Sequence, residues 1–202
     1  SPKKSGKLIL VDSGKGGLGF TSIVAALGEV LANNSKKVVL IDLDFETQDL
    51  SRFLHVRPFV NENLHMLFDQ QRAVTEESVL DCLSKVWAGD ENLYVMPPVS
   101  ESDEIYDSRS PSVKALLNVV EVLDETFDYV VIDMGSARGA LTRTLYRVAD
   151  QVVFILNNDP AALFASVDKI SRVRGFMSET VSAATKSPVS GLLAIFDFRF
   201  GE

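Results

Sequence analysis

The chain has 202 residues, of which 46% are hydrophobic and 24% are charged, and its formal net charge is −8. This length and composition are typical of a globular protein with a buried core, and the acidic balance argues against a surface that coats DNA. The sequence has no bilayer-spanning apolar run and no secretion signal, and its lone cysteine, Cys82, excludes a disulfide framework and a cysteine-bridged iron–sulfur centre. These features predict a single cytoplasmic domain over residues 1–202, with Cys82 in its core.

Short apolar runs alternate with longer segments of helical spacing. Six runs have the continuous apolar character of buried strands: Lys7–Val11, Lys37–Asp42, Leu93–Met96, Tyr129–Asp133, Gln151–Leu156 and Leu192–Phe196. Helical spacing predicts helices at Thr21–Leu31, Glu76–Val86, Ser112–Thr126, Leu141–Arg147 and Ala161–Met177. The alternation predicts an α/β fold, a doubly wound and mostly parallel sheet with helices on both faces. Ligands of such sheets bind at the carboxyl ends of the strands.

A glycine-rich loop joins the first predicted strand to the first helix. Gly14 to Thr21 reads G-K-G-G-L-G-F-T, which matches the phosphate-loop pattern G-x-x-x-x-G-K-[ST] except that Phe20 stands at the lysine position. Glycines let successive backbone N–H groups face a phosphate, and the helix start adds the positive end of its dipole. The residues predicted to bind the phosphates are Gly14, Lys15, Gly16, Gly17, Leu18, Gly19, Phe20, Thr21 and Ser22. The alternative is a glycine-rich turn without a ligand.

Three carboxylates follow predicted strands in the order that a phosphate site requires. Asp42 and Asp44 form D-L-D at the end of the second strand, and Asp133 ends Y-V-V-I-D. Strand-end aspartates beside a phosphate loop can hold Mg²⁺ together with a hydroxyl, here that of Thr21, and one of them can accept a proton from water. The sequence therefore predicts Thr21, Asp42 and Asp133 as metal ligands. The alternative is that these acids only terminate strands.

Other polar groups carry less information. The basic residues Arg138, Arg143, Arg147, Lys169, Arg172 and Arg174 are interpreted as a solvated face because acids outnumber them. His55 and His65 have no companion ligands at metal spacing, so no metal is expected there. Ser100–Ser110 is polar and acidic and predicts a solvated loop.

The last residues alternate aromatic and charged side chains. Phe196, Phe198 and Phe200 would share one face of a strand. Either the sequence lacks C-terminal elements that would cover this face, which is the expectation preferred here, or the aromatic side chains contact something else.

The loop with a lysine ahead of its paired glycines resembles that of the MinD/ParA family of deviant phosphate-loop ATPases. The resemblance implies that Lys15 reaches across a nucleotide-sandwich dimer to the partner's phosphates, that Asp44 activates water, and that ATP (or ADP) and Mg²⁺ are the cofactors. It also implies that D-M-G-S, which begins at the end of the fourth predicted strand, is a switch loop and that Asn158 lies near the nucleoside, although a helix-capping turn explains Asn158 equally well. The family's base-reading asparagine has no clear equivalent, and Asp197 is the nearest polar residue.

Within that family the chain is most similar to the TadZ/CpaE pilus-assembly proteins. The segments that carry this resemblance are Asp42–Leu54, Met96–Glu104, Phe127–Asp133 and Leu141–Asp150. It implies a homodimeric localisation factor for a tight-adherence pilus or secretion machine, recruited to a cell pole or an inner-membrane complex through protein partners. Contact with the membrane would be indirect, and DNA is not an expected partner.

The functional hypotheses differ in the effect that they assign to Phe20. Without the lysine, an uncompensated phosphate charge lowers both the affinity for nucleotide and the rate of hydrolysis. The first hypothesis is a dimerising scaffold of the ATPase fold with weak or no hydrolysis. The second is an active, slow ParA/MinD-type ATPase that positions cargo, DNA or a membrane complex. A metabolic ligase or reductase on the same fold is disfavoured, because no additional substrate pocket is indicated and the cysteines are missing.

Overall fold

The computed structural model describes residues 6–13, 21–56, 60–86, 91–100, 111–135, 137–157, 160–161, 164–172 and 192–197. The strands are β1 (Lys7–Ser13), β2 (Val38–Asp42), β3 (Ser84–Lys85), β4 (Leu93–Met96), β5 (Tyr129–Asp133), β6 (Gln151–Asn157) and β7 (Leu192–Asp197). The helices are α1 (Thr21–Asn33), α2 (Asp49–Phe53), α3 (Glu62–Phe68), α4 (Glu76–Leu80), α5 (Pro111–Thr126) and α6 (Gly139–Val148). Residues 164–172 are also helical and are called the 164–172 helix.

The strands form one sheet in the order β3-β4-β2-β5-β1-β6-β7. All neighbouring pairs are parallel except β3–β4, in which Ser84 and Lys85 lie antiparallel to Val95 and Tyr94. Chain order reverses on either side of β1, so the loop after β1 lies at a switch point, where open α/β sheets bind their ligands. The predicted doubly wound parallel sheet is confirmed.

Side chains alternate between two cores on opposite faces of the sheet. Leu8 and Leu10 of β1 contribute to the larger core, which α3, α4, α5 and α6 cover, whereas Ile9 and Val11 face the core under α1 and α2. Since both faces are buried, the central strands are apolar on both faces until their carboxyl ends, and this is the pattern that marked them in the sequence. Cys82 is buried in the larger core, as predicted.

One predicted element is wrong. The helix expected over Glu76–Val86 ends at Leu80, and the chain then turns so that Ser84–Lys85 forms β3 at the edge of the sheet. Thr75 and Ser78 cap α4 reciprocally, which stabilises a helix of only five residues. Pairing with β4 satisfies backbone groups that a longer helix would have used internally, so the tertiary contact overrides the apolar spacing.

Short elements were missed, and some expectations fall elsewhere. The sequence did not indicate α2 or α3, which have five and seven residues. The acidic loop after Ser100, the end of the helix expected to reach Met177, and Phe198 and Phe200 lie outside the described residues. In the part of the chain that the structure describes, no helix has the length and apolar character needed to cross a membrane.

Candidate functional site

The predicted strand-end residues meet at one edge of the sheet. Parallel pairing places Asp42 of β2 beside Asp133 of β5, and Asp133 in turn beside Val11 of β1. Thr21 begins α1 at the same edge, and its Oγ1 donates a hydrogen bond of 3.1 Å to Asp133 Oδ2. A hydroxyl and a carboxylate from separate elements are thus in direct contact directly after the glycine-rich loop.

Asp133 is buried, and the turn that follows it holds the second carboxylate oxygen. The Gly135 N–H donates to Asp133 Oδ1 at 3.0 Å. Gly135 has φ +43°, and a Cβ at this position would lie 2.6 Å from Asp44 Cβ. Since no side chain fits there, Gly135 is the residue that lets the turn after β5 approach the D-L-D segment closely.

Asp42 is committed to hydrogen bonds within the protein. Its Oδ2 accepts from the Ser51 N–H at 2.9 Å and from Ser51 Oγ at 2.7 Å, while its Oδ1 accepts from the Asp44 N–H at 3.0 Å. Ser51 lies in α2 and is fully buried. Asp42 therefore fixes α2 and the Asp44 backbone, which is a positioning role in this structure.

Asp44 lies against the turn after Asp133, with its backbone and Cβ next to Gly135. It is 8% exposed, and its Oδ1 accepts from the Thr47 N–H at 3.2 Å while its Oδ2 accepts from the Thr47 hydroxyl. A short local turn of this kind orients the carboxylate. Thr47 thus positions the residue that the sequence singled out as a proton acceptor.

Burial determines the electrostatics of the cluster. Desolvation raises the pKa of Asp133 to about 7, and repulsion from Asp42 contributes to the rise, with the Gly135 and Thr21 hydrogen bonds opposing it. Desolvation likewise raises the pKa of Asp42 to about 6, against the hydrogen bonds from Ser51 and Asp44. Two buried carboxylates side by side favour a nearby cation, which would stabilise their ionised forms.

The donor set fits Mg²⁺ bound jointly with phosphate groups. Mg²⁺ prefers oxygen ligands and is held by one or two carboxylates plus substrate phosphates rather than by an all-protein cage. The Thr21–Asp133 contact supplies a hydroxyl and a carboxylate oxygen at one point. Among the described residues no group of three or more His, Cys, Asp or Glu side chains is arranged to hold a metal ion.

Several predicted residues cannot be placed. Gly14 to Phe20, Lys15 included, and Asn158 lie outside the described residues, as does Arg174. Ser22 is exposed in the first turn of α1. Asp197 ends β7 and pairs through its backbone with Asn157.

The predicted solvated basic face is wrong for one member. Arg143 and Arg147 are exposed, and Arg138 and Arg172 form exposed pairs with Glu46 and Asp168. Lys169 instead turns inward, and its Nζ lies 2.8 Å from Oδ1 of the buried Asp12. The ion pair compensates the buried Asp12 carboxylate, because an ionised carboxylate that is removed from water without a partner is strongly destabilising.

Sequence reasoning missed four residues that support the site: Thr47, Ser51, Asp12 and Tyr146. The signals were present but slight. Asp12 is a single acid inside an otherwise apolar strand, and Thr47 follows Asp44 at the three-residue spacing of a side-chain turn. Nothing in the local pattern connects Ser51 with Asp42 or Tyr146 with Asp12.

Comparison with known proteins agrees with this geometry. A family model described as an AAA domain matches residues 6–180. The septum site-determining protein MinD of Bacillus subtilis is 33% identical over 159 residues, covering 78% of this chain and 56% of the relative. The flagellum site-determining protein YlxH of Helicobacter pylori is 29% identical over 164 residues, covering 80% of this chain and 51% of the relative. The chain thus spans just over half the length of each.

A solved structure supports the fold independently. The septum site-determining protein MinD of Pyrococcus horikoshii, complexed with Mg-ADP, superposes with a TM-score of 0.65 at 21% identity. The alignment covers 94% of this chain and 68% of that chain. At this identity the likeness shows the fold.

Proposed function

Because this chain belongs to the AAA domain family and is a phosphate-loop ATPase of the MinD/ParA type, we propose that it binds ATP–Mg²⁺ (or ADP–Mg²⁺) and acts as a dimerising assembly factor. The Thr21–Asp133 contact, at the end of a glycine-rich loop and at the switch point of the sheet, is the observation that carries the proposal. The hydroxyl and the carboxylate come from residues that are 112 positions apart in the sequence.

Each site residue has a proposed task. The amides of Gly14 to Ser22 hold the phosphates, Lys15 meets the partner's phosphates, and Asn158 lies beside the nucleoside. Thr21 and Asp133 hold Mg²⁺ with the phosphates, and Asp42, also predicted as a ligand, supports them by fixing α2 and Asp44. Bound Mg²⁺ supplies charge neutralisation for the phosphate oxygens. Asp44, oriented by Thr47, accepts the proton of an attacking water.

Phe20 limits the chemistry that this site performs. The residue replaces an ammonium that would otherwise stabilise charge building up on the phosphates. We therefore propose weak or no hydrolysis and a function that depends on binding and dimerisation. The resemblance to TadZ/CpaE proteins makes a tight-adherence pilus or secretion system at a cell pole or inner-membrane complex the proposed setting, with contacts through other proteins.

A slow, active ATPase that positions cargo, DNA or a membrane complex is the second candidate. The observation in its favour is that Asp44 is buried and that Thr47 orients its carboxylate, which is the arrangement that a proton acceptor requires. The similarity to MinD and YlxH, both described as site-determining, also favours a positioning function.

Nucleotide turnover distinguishes the two candidates. Phosphate release and the oligomeric state are measured with ATP–Mg²⁺ for the unmodified chain and for Phe20→Lys, with Asp44→Ala as the hydrolysis-deficient control. The scaffold proposal predicts dimers with little turnover, and Phe20→Lys should raise the rate by roughly tenfold or more. Family-like turnover in the unmodified chain that Asp44→Ala abolishes would establish the second candidate instead.

A further inference from the structure

A buried network of polar side chains lies directly ahead of the glycine-rich loop. Asp12, which is 3% exposed, accepts hydrogen bonds from Lys169 Nζ at 2.8 Å, from the Ser13 N–H at 2.7 Å and from the Tyr146 hydroxyl. Lys169 Nζ also donates to the Ser13 carbonyl oxygen at 3.0 Å. Three elements, β1, α6 and the 164–172 helix, therefore meet at the last two residues of β1.

Folding alone does not require a charge pair at this point. The residues before it in β1, Leu8 to Val11, are apolar and buried. A buried ion pair often stabilises a protein no more than apolar side chains of the same volume would, because both charges lose their hydration. An ion pair at this point therefore has to be explained by what it holds in place.

The pair holds the peptide at which the loop begins. Ser13 is the residue before Gly14, and Lys169 bonds both its carbonyl oxygen and the side chain of its neighbour Asp12. Thr21, at the far end of the same loop, is held by Asp133. Both ends of the loop are thus tied by side-chain hydrogen bonds to distant elements.

Packing makes this anchor rigid. The Tyr146 ring is 1% exposed and stacks on Phe154 of β6, with ring centroids 6.5 Å apart, and Phe154 pairs with Asp12 in the sheet. Ser166 is buried and Ile170 packs against the core, and both lie on the same face of the 164–172 helix as Lys169. This face of the helix therefore packs against the rest of the protein. Lys169 is itself only partly exposed, at 31% of its side chain.

We propose that Asp12 and Lys169 form a positioning pair that fixes the first peptide of the nucleotide-binding loop and thereby sets the affinity for ATP–Mg²⁺. The inference rests on the proposed function. A phosphate cradle binds tightly only when its amides are already oriented toward the ligand, because the cost of ordering them on binding lowers the affinity. Lys169 acts through the backbone of Ser13.

Four variants test the proposal with ATP–Mg²⁺ as the probe. Lys169→Met removes the cation, and Lys169→Arg keeps it. The double variant Asp12→Asn/Lys169→Met removes both charges, so no buried carboxylate is left without a partner. Arg172→Gln is the matched control, because it lies in the same helix and breaks only an exposed pair with Asp168.

Dissociation constants are measured by calorimetry at a temperature at which circular dichroism shows every variant fully folded. Lys169→Met and the double variant should both bind about tenfold or more weakly, Lys169→Arg should recover most of the loss, and Arg172→Gln should match the unmodified chain. Hydrogen exchange without nucleotide should rise in the peptide over residues 8–21 for Lys169→Met and for the double variant, but not for Lys169→Arg or Arg172→Gln.

Three outcomes would overturn the inference. If the double variant binds as the unmodified chain does, the effect of Lys169→Met comes from an orphaned carboxylate and not from loop position. Unchanged affinity in Lys169→Met would overturn the inference while the proposed function stands. If the unmodified chain does not bind ATP–Mg²⁺ at all, the proposed function fails, and the inference fails with it.

Discussion

At the scale of single residues, burial of Asp133 connects the site to the stability of the protein. Its pKa of about 7 in the folded chain exceeds the ordinary value of 3.8, so the folded state binds more protons than the unfolded state between these values. The contribution of Asp133 to stability is therefore fully present below pH 3.8 and is lost as the pH rises through about 7. Asp42, with a pKa of about 6, acts in the same direction.

Asp133→Asn should remove much of this pH dependence. An asparagine can accept from Gly135 with its oxygen and donate to the Thr21 hydroxyl, so the local hydrogen bonds are kept. Without Mg²⁺ or nucleotide, the variant should gain free energy of unfolding at pH 8, on the order of 2–4 kcal/mol. Urea unfolding at pH 5.5 and pH 8 measures the gain, with the exposed Glu29→Gln as control. Parallel pH profiles for Asp133→Asn and the unmodified chain would contradict the account.

Gly135 is the second residue at which a single change should be decisive. Gly135→Ala places a Cβ against Asp44 and puts alanine at a positive φ, so the turn and the D-L-D segment must separate. We expect a loss of about 1–3 kcal/mol in the free energy of unfolding and weaker ATP–Mg²⁺ binding. Gly139→Ala, at φ +68° in α6, carries similar backbone strain away from Asp44. If Gly139→Ala weakens nucleotide binding as much, the contact with Asp44 is not the cause.

The sequence indicated the carboxylates and the hydroxyl of the site, but it did not indicate the residues that hold the site in position. Asp42, Asp133 and Thr21 could be placed together, because parallel strands bring their carboxyl ends to one edge. Lys169 could not be placed, since its partner Asp12 is 157 residues away in sequence and only the fold joins them. A local pattern contains no information about such a pair.

At the scale of elements, α2 depends on one buried serine. Ser51 donates both its N–H and its hydroxyl to Asp42, which ties a five-residue helix to the end of β2. Ser51→Ala should cost about 1–3 kcal/mol of unfolding free energy, because Asp42 stays buried with one hydrogen bond fewer. Ser171→Ala, which removes an exposed hydroxyl from the 164–172 helix, is the control. Equal losses in the two variants, measured by urea unfolding at pH 7, would argue against an anchoring role.

Element prediction succeeded where burial on both faces made strands apolar throughout. All six predicted strands are present, whereas β3, α2, α3 and the early end of α4 were not predicted. These elements have between two and seven residues, too few to show a period, and β3 exists because it pairs with β4. Apolar spacing over Val79, Leu80, Leu83 and Val86 indicated a helix that sheet pairing then overrode.

At the scale of the whole molecule, the order of strands explains why the site lies where it does. Sequence alternation predicted the doubly wound sheet, and the observed strand order adds that β1 ends at the switch point, where open α/β sheets bind their ligands. Asp42, Asp133 and Thr21 lie at that edge of the sheet, and Lys169 bonds Asp12 and Ser13 at the end of β1. Nucleotide binding is the function that we propose for these positions.

Calorimetric titration of ATP into the unmodified chain, with Mg²⁺ and with excess EDTA, tests this claim most directly. The account predicts saturable binding of one nucleotide per chain in Mg²⁺, clearly weaker binding in EDTA, and loss of the difference in Asp133→Asn, which removes the proposed metal ligand. Absence of saturable heat at millimolar ATP, or binding that neither EDTA nor Asp133→Asn alters, would contradict it.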